Sequence, residues 1–147
     1  MAKPYIKYII KKFNTENVRY LLIGRQAVVL YGFPVTSFDY DFWVYPEDRK
    51  KVYKILLKED FEPSSNIEEK KPIVFFIKDI YKIDIFFVKA FSNLKFEDCY
   101  KRAKIFKEAK FVVRVAQPKD IIFLKKFRST ISEEDKKDIK FLINFKE

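Results

Sequence analysis

Residues 36–44 read TSFDYDFWV: two carboxylates, Asp39 and Asp41, inside a run rich in aromatic residues. Such residues favour a pleated, half-buried strand, where a carboxylate is costly unless it is paired, hydrogen-bonded or neutralised by a cation. Side chains two apart on a strand share a face, so Asp39 and Asp41 project together, with Trp43 on the same face. A third acid, Asp84, lies among apolar neighbours in YKIDIFFV, a strand of what reads as the same sheet. Three carboxylates converging from neighbouring strands repel one another unless a divalent cation neutralises them. A structural alternative stands beside this one. In it Asp39 caps a turn, Asp41 faces solvent on an edge strand, and Asp84 pairs with a lysine.

Outward from that stretch, composition narrows the chemistry. The chain has 147 residues, nearly half of them apolar, which suits one domain over residues 1–147 with its own core. It contains no histidine and a single cysteine, Cys99. Histidine-based triads, histidine-ligated zinc, thiolate clusters and an internal disulfide are therefore excluded, and a reducing compartment is expected. If the acids bind an ion, it is a hard, oxygen-seeking one, Mg²⁺ or Mn²⁺. The net charge of +10 would attract polyanions, although most lysines read as solvated helix faces in a composition that also fits a thermophilic or AT-rich source. The opening MAKPYIKYIIKKF has no long apolar segment with a cleavage site, and no apolar run approaches a membrane span. A cytoplasmic location without membrane contact is the expectation.

Along the chain, Tyr5, Ile6, Ile9, Ile10 and Phe13 fall at helical spacing in the first dozen residues. RYLLI (19–23) predicts a strand; Gly24 then opens a short helix, RQAVVLY, ended by Gly32 and Pro34. The strand FDYDFWVY stops at Pro46, which with Glu47 and Asp48 begins a helix through about Leu57. EPSSNIEEKKP reads as a polar loop, and IVFFIK and IYKIDIFFV, parted by Asp79, as two antiparallel strands. FEDCYKRAKIF reads as a helix and FVVRV as a strand. Two helices follow, PKDIIFLKKFR and SEEDKKDIKFLINF, the second with Ser132 and Asp135 placed as in a capping box. The sum is α+β, one mixed or antiparallel sheet with helices packed on it and a C-terminal helical pair.

This order of parts, YLLIGRQAVVLYGFPVTSFDYDFWV followed by YKIDIFFV, resembles the nucleotidyltransferase superfamily typified by DNA polymerase β and the minimal nucleotidyltransferases. VAQPKDIIFLKKFRSTISEEDKKDI is similar to the lysine and D-x-x-D elements of abortive-infection type toxin nucleotidyltransferases, so the likeness spans about Tyr20 to Ile139. The resemblance implies a mixed sheet flanked by helices and transfer of a nucleoside monophosphate from an NTP to a hydroxyl acceptor: RNA, protein or a small molecule. It implies that Asp39, Asp41 and Asp84 hold Mg²⁺ or Mn²⁺, that Gly24 lets the backbone approach phosphate, and that Lys125, or its neighbour Lys126, is the family lysine. Asp135 and Asp138 match the late acids. On the residues alone Lys125 also reads as a helix-surface charge and Asp135 as a first-turn acid.

Two positions depart from the family pattern. Arg25 stands where a second small residue follows the glycine, either obstructing phosphate or contacting it directly, and Val35 in GFPVTSFD stands where arginine is common. Ser37 takes the place of a frequent threonine and joins the candidate nucleotide-binding residues. By the same likeness a toxin role would bring tRNA or another nucleic acid, and a small protein antitoxin, as partners. The rival is a module of the same fold that binds nucleotide, RNA or a protein without turnover.

Overall fold

The computed structural model describes residues 4–146, so residues 1–3 of the expected first helix lie outside the described residues. Helix α1 (Pro4–Thr15) buries Ile6, Ile9, Ile10 and Phe13, the stripe that helical spacing predicts. β1 (Tyr20–Ile23) runs directly into α2 (Gly24–Leu30), and β2 (Asp39–Val44) follows. A single 3₁₀ turn (Pro46–Asp48) leads into α3 (Arg49–Lys58). Then come β3 (Glu62–Pro63), β4 (Ile73–Lys78), β5 (Tyr81–Phe87), a small hairpin of β6 (Ala90–Phe91) and β7 (Leu94–Lys95), and α4 (Phe96–Lys101). The chain closes with β8 (Lys104–Glu108), β9 (Phe111–Val115), α5 (Pro118–Phe127) and α6 (Glu133–Ile143).

Seven strands form one mixed sheet in the order β3-β4-β5-β2-β1-β9-β8. β2 pairs with β5 in parallel, as β1 does with β9, and the other neighbours are antiparallel. The strand carrying Asp39 and Asp41 is therefore central rather than an edge. Phe42 meets α1 through Phe13 at 5.4 Å, and Phe76 meets α3 through Tyr53 at 5.0 Å, so α1 and α3 cover one face. The opposite face carries the acids. There Trp43 packs on Phe91 of β6 and Phe96 of α4, at 4.9 and 5.3 Å. Arg19–Asp48 and Arg102–Asp120 are paired at 2.9 and 2.8 Å, which accounts for the buried Asp48 and Asp120. No helix among the described residues is long and apolar enough to cross a membrane.

Three stretches differ from the expectation. The helix in FEDCYKRAKIF ends at Lys101, and KIFKE becomes β8, with Ile105 opposite Arg114. The guanidinium of Arg102 is held by both carboxylate oxygens of Asp120, which anchors the helix end, and the alternation of KIFKE suits a half-solvated edge strand. The polar loop contains β3, paired to β4 through Glu62 and Ile77, and a 3₁₀ turn at Ile67–Glu69. The β6–β7 hairpin is too short to leave a periodic signal.

Candidate active site

Neighbouring strands β2 and β5 place Asp41 opposite Asp84, and alternation aims both at the same face. Across β2 on the other side, Ile23 pairs with Asp41, which brings the start of α2 beneath the carboxyl. Gly24 has φ +69°, and a Cβ on it would stand 2.1 Å from Asp41 Oδ2. Only glycine satisfies both the backbone conformation and this close approach. Burial, repulsion by the Asp84 carboxylate and a hydrogen bond shared with it push the Asp41 carboxyl from an ordinary 3.8 up to about 7; Arg128 and Lys125 oppose the rise.

The remaining polar groups of the strand wall are less tightly held. Asp84 Oδ1 is buried without a hydrogen-bond partner, and Lys82 Nζ stands 3.7 Å from it. Asp39 is exposed at the start of β2. Its backbone N–H donates to Ser37 Oγ at 3.2 Å, while Gln26 Nε2 donates to the Ser37 carbonyl at 2.7 Å and ties that loop to α2.

The opposite wall comes from α5 and α6. Lys125 is buried and donates to Asp135 Oδ1 at 3.0 Å, with Asp138 Oδ2 at 3.1 Å. Arg128 Nη1 donates to Asp135 Oδ2 at 3.1 Å. Arg25 reaches the same helix, donating from Nη1 to Glu134 and placing Nη2 3.4 Å from Asp138 Oδ1. Burial pushes the Asp135 carboxyl up, but the hydrogen bond from Lys125 and the charges of Lys125 and Arg128 outweigh it and hold the group below the usual range. Asp135 also closes the capping box of α6, its N–H donating to Ser132 Oγ at 3.0 Å.

These walls enclose a polar cleft of about 310 Å³ that gathers Arg25, Ser37, Asp39, Asp41, Asp84 and Lys125 with Asp135 and Asp138. Gly24 lies outside its lining and borders a second cleft that also contains Asp41. Between the two candidate lysines the fold chooses Lys125; Lys126 is exposed among Ile131, Lys136 and Ile139. Arg128, Ser132 and Glu134 complete the polar lining. Arg128 stands one helical turn after Lys125, the signal that could have singled it out; no local signal sets Glu134 apart from the other acids of SEEDKKD.

No trio of acidic or thiol groups among the described residues is arranged to enclose a metal ion. The facing pair Asp41 and Asp84, with its unpartnered Oδ1, is instead a two-carboxylate half-site. That set fits Mg²⁺ or Mn²⁺, since Mg²⁺ is commonly bound by one or two carboxylates together with substrate phosphates.

Neither a family model nor a curated protein matches this sequence. Solved structures do. The lincosamide antibiotic adenylyltransferase LnuA, lincomycin-bound, superposes with a TM-score of 0.75 at 15% identity, covering 99% of each chain. ANT(2″)-Ia in complex with adenylyl-2″-tobramycin gives 0.67 at 11% identity over 94% of this chain and 85% of that one. An antigenic nucleotidyltransferase-like protein from Paracoccidioides brasiliensis gives 0.60 at 18% identity, covering 95% and 72%.

Proposed function

Because the chain has the nucleotidyltransferase fold, we propose that it transfers a nucleoside monophosphate from an NTP to a hydroxyl acceptor, in a metal-dependent reaction at Asp41 and Asp84. The observation that carries this reading is the register of β2 and β5, which sets the two carboxylates face to face across the cleft from Lys125 and Arg128. Asp41 and Asp84 are the assigned pair of ligands for Mg²⁺ or Mn²⁺, and Asp39, exposed at the start of β2 in the same cleft, would be an outer contact to the cation. When bound, the cation would supply positive charge to the triphosphate and to the attacking oxygen. Ser37, Arg25, Lys125 and Arg128 contact phosphate oxygens, and Gly24 keeps the space beside Asp41 open. The acceptor oxygen forms a bond to the α-phosphorus as the bond to the departing pyrophosphate breaks. The hydroxyl proton passes to the Asp84 carboxylate, and the cations of α5 and α2 hold the pyrophosphate.

The solved neighbours with lincomycin or an adenylyl-tobramycin bound favour a small-molecule acceptor. A toxin acting on tRNA, with a small antitoxin beside it in the cytoplasm, is the same chemistry on a different acceptor. A second reading, a module that binds nucleotide without turnover, draws support from one observation: Glu134, Asp135 and Asp138 already pair with Arg25 and Lys125. Incubation with each labelled NTP, Mg²⁺ and either total RNA or a library of small alcohols separates these. Label moved to an acceptor with pyrophosphate release is the expected result. Saturable nucleotide binding with no transfer to either pool would instead establish the module.

A further inference from the structure

The polar cleft has an apolar companion. A second cleft of about 220 Å³ shares Asp41, Lys125 and Arg128 with it, but contains none of Arg25, Ser37 or Asp39. Its other walls include Ile73, Phe86, Phe91, Leu124 and Phe127. Phe91 meets both Phe86 and Phe127 at 5.9 Å, so three strand and helix elements contribute one aromatic surface. At its rim Ile73 and Phe127 are 51% and 52% exposed, large apolar side chains left open to solvent beside the carboxylates.

In-line displacement places the attacking oxygen and the departing pyrophosphate on opposite sides of the α-phosphorus. Asp41 lines both clefts, so a nucleotide whose phosphates lie in the polar one leaves the apolar one to the acceptor. The basic groups in the apolar lining are Lys125 and Arg128, and both line the polar cleft as well, so with nucleotide phosphates on them neither remains for a polyanionic acceptor. We propose that this cleft is the acceptor subsite and that the acceptor is a small alcohol with an aromatic or aliphatic body, its hydroxyl toward Asp41 and its body against Phe86, Phe91 and Phe127. The inference rests on the nucleotidyl-transfer reading of the same site and adds the class of acceptor. In the reaction the alcohol oxygen bonds to phosphorus, its proton goes to the Asp84 carboxylate, and the electron pair of the broken bond leaves on pyrophosphate.

The protein carries its own reporter, since Trp43 stands 4.9 Å from Phe91 and is the single tryptophan. The full chain is titrated with 4-nitrophenethyl alcohol, a nitroaryl quencher, while α,β-methylene-ATP with Mg²⁺ is titrated separately by calorimetry. Saturable quenching is expected, and Phe127→Ala should weaken it about tenfold, the equivalent of about 1.4 kcal/mol of lost contact, with nucleotide affinity unchanged. Ile73→Ala, at the other half-exposed rim position, should act in the same direction. Quenching that rises only linearly, or that neither variant alters, overturns the proposal. A loss of nucleotide affinity in Phe127→Ala with alcohol binding retained also overturns it, by assigning the cleft to the nucleobase. If the wild-type protein binds no nucleotide, the transferase reading fails, and the alcohol titration alone still decides whether the cleft takes such a ligand.

Discussion

Asp41 concentrates the cost of the site in one carboxyl. Its folded-state pKa, about 7, lies above the ordinary 3.8, so the folded protein holds this proton more tightly than the unfolded chain does. The resulting stability is complete below about pH 4 and is lost as pH rises toward 7. Asp41→Asn should therefore leave the Tm unchanged or raise it in chelator at pH 8, an effect on the order of 2 kcal/mol, and flatten the loss between pH 4 and 7. A fall in Tm would mean that the carboxylate is a structural partner. The same variant should lower transfer about a hundredfold or more, as loss of an assigned ligand of the catalytic cation does. At Gly24 the sign is opposite. Alanine meets Asp41 Oδ2 at 2.1 Å on a backbone with φ +69°, so Gly24→Ala should cost more than about 1 kcal/mol in denaturant unfolding and abolish Mn²⁺ binding by displacing that carboxyl. Mn²⁺ binding itself is readable from Trp43, which shares a face with Asp39 and Asp41: saturable quenching reversed by excess Mg²⁺, weakened in Asp39→Asn and absent in Asp41→Asn. Linear quenching, or equal quenching of the double variant, would show that these acids bind no metal.

Among the elements, α6 decides how the cationic wall behaves. Its acids Asp135 and Asp138 are buried against Lys125, and a buried pair broken from one side leaves an uncompensated charge. Lys125→Ala should destabilise the protein by about 3 to 5 kcal/mol and release amide-exchange protection along α6 first. Unchanged exchange there would show that apolar packing alone docks the helix. Asp135 adds a pH dependence of opposite sense to that of Asp41: its depressed carboxyl contributes stability that is present above 3.8 and lost as pH falls through its lower folded value. Elements with a strong local period were legible in the sequence, namely α1, β4, β5 and α6 with its capping box. β8 was not, because KIFKE follows a true helix and its strand character depends on β9 alongside it. The β6–β7 hairpin was missed for lack of length, yet it supplies Phe91 to the apolar cleft.

Over the whole molecule, both proposed ligands meet at the acid-bearing face of one sheet, between the strands and the α5–α6 pair. A nucleotide bound there bridges the two walls, so Mg²⁺ with a non-hydrolysable NTP at a hundred times its Kd should stabilise folding by about 2.7 kcal/mol, and metal or nucleotide alone by much less. Equal shifts from the nucleotide with and without Mg²⁺ would argue against a carboxylate-held cation. What the sequence determined alone was set by local rules. Alternation put Asp39, Asp41 and Trp43 on one face, the lack of histidine removed whole classes of chemistry, and the resemblance of the motifs to the nucleotidyltransferase superfamily pointed to the fold. Tertiary structure alone decided that Asp84 stands opposite Asp41, that Lys125 rather than Lys126 faces the cleft, that Arg25 is drawn to Glu134 and Asp138, and that an apolar cleft shares the Asp41 carboxyl. The reason is physical. Side-chain parity follows from the backbone of a single strand, whereas register and helix docking are chosen by packing between segments far apart in the chain, which no local pattern encodes.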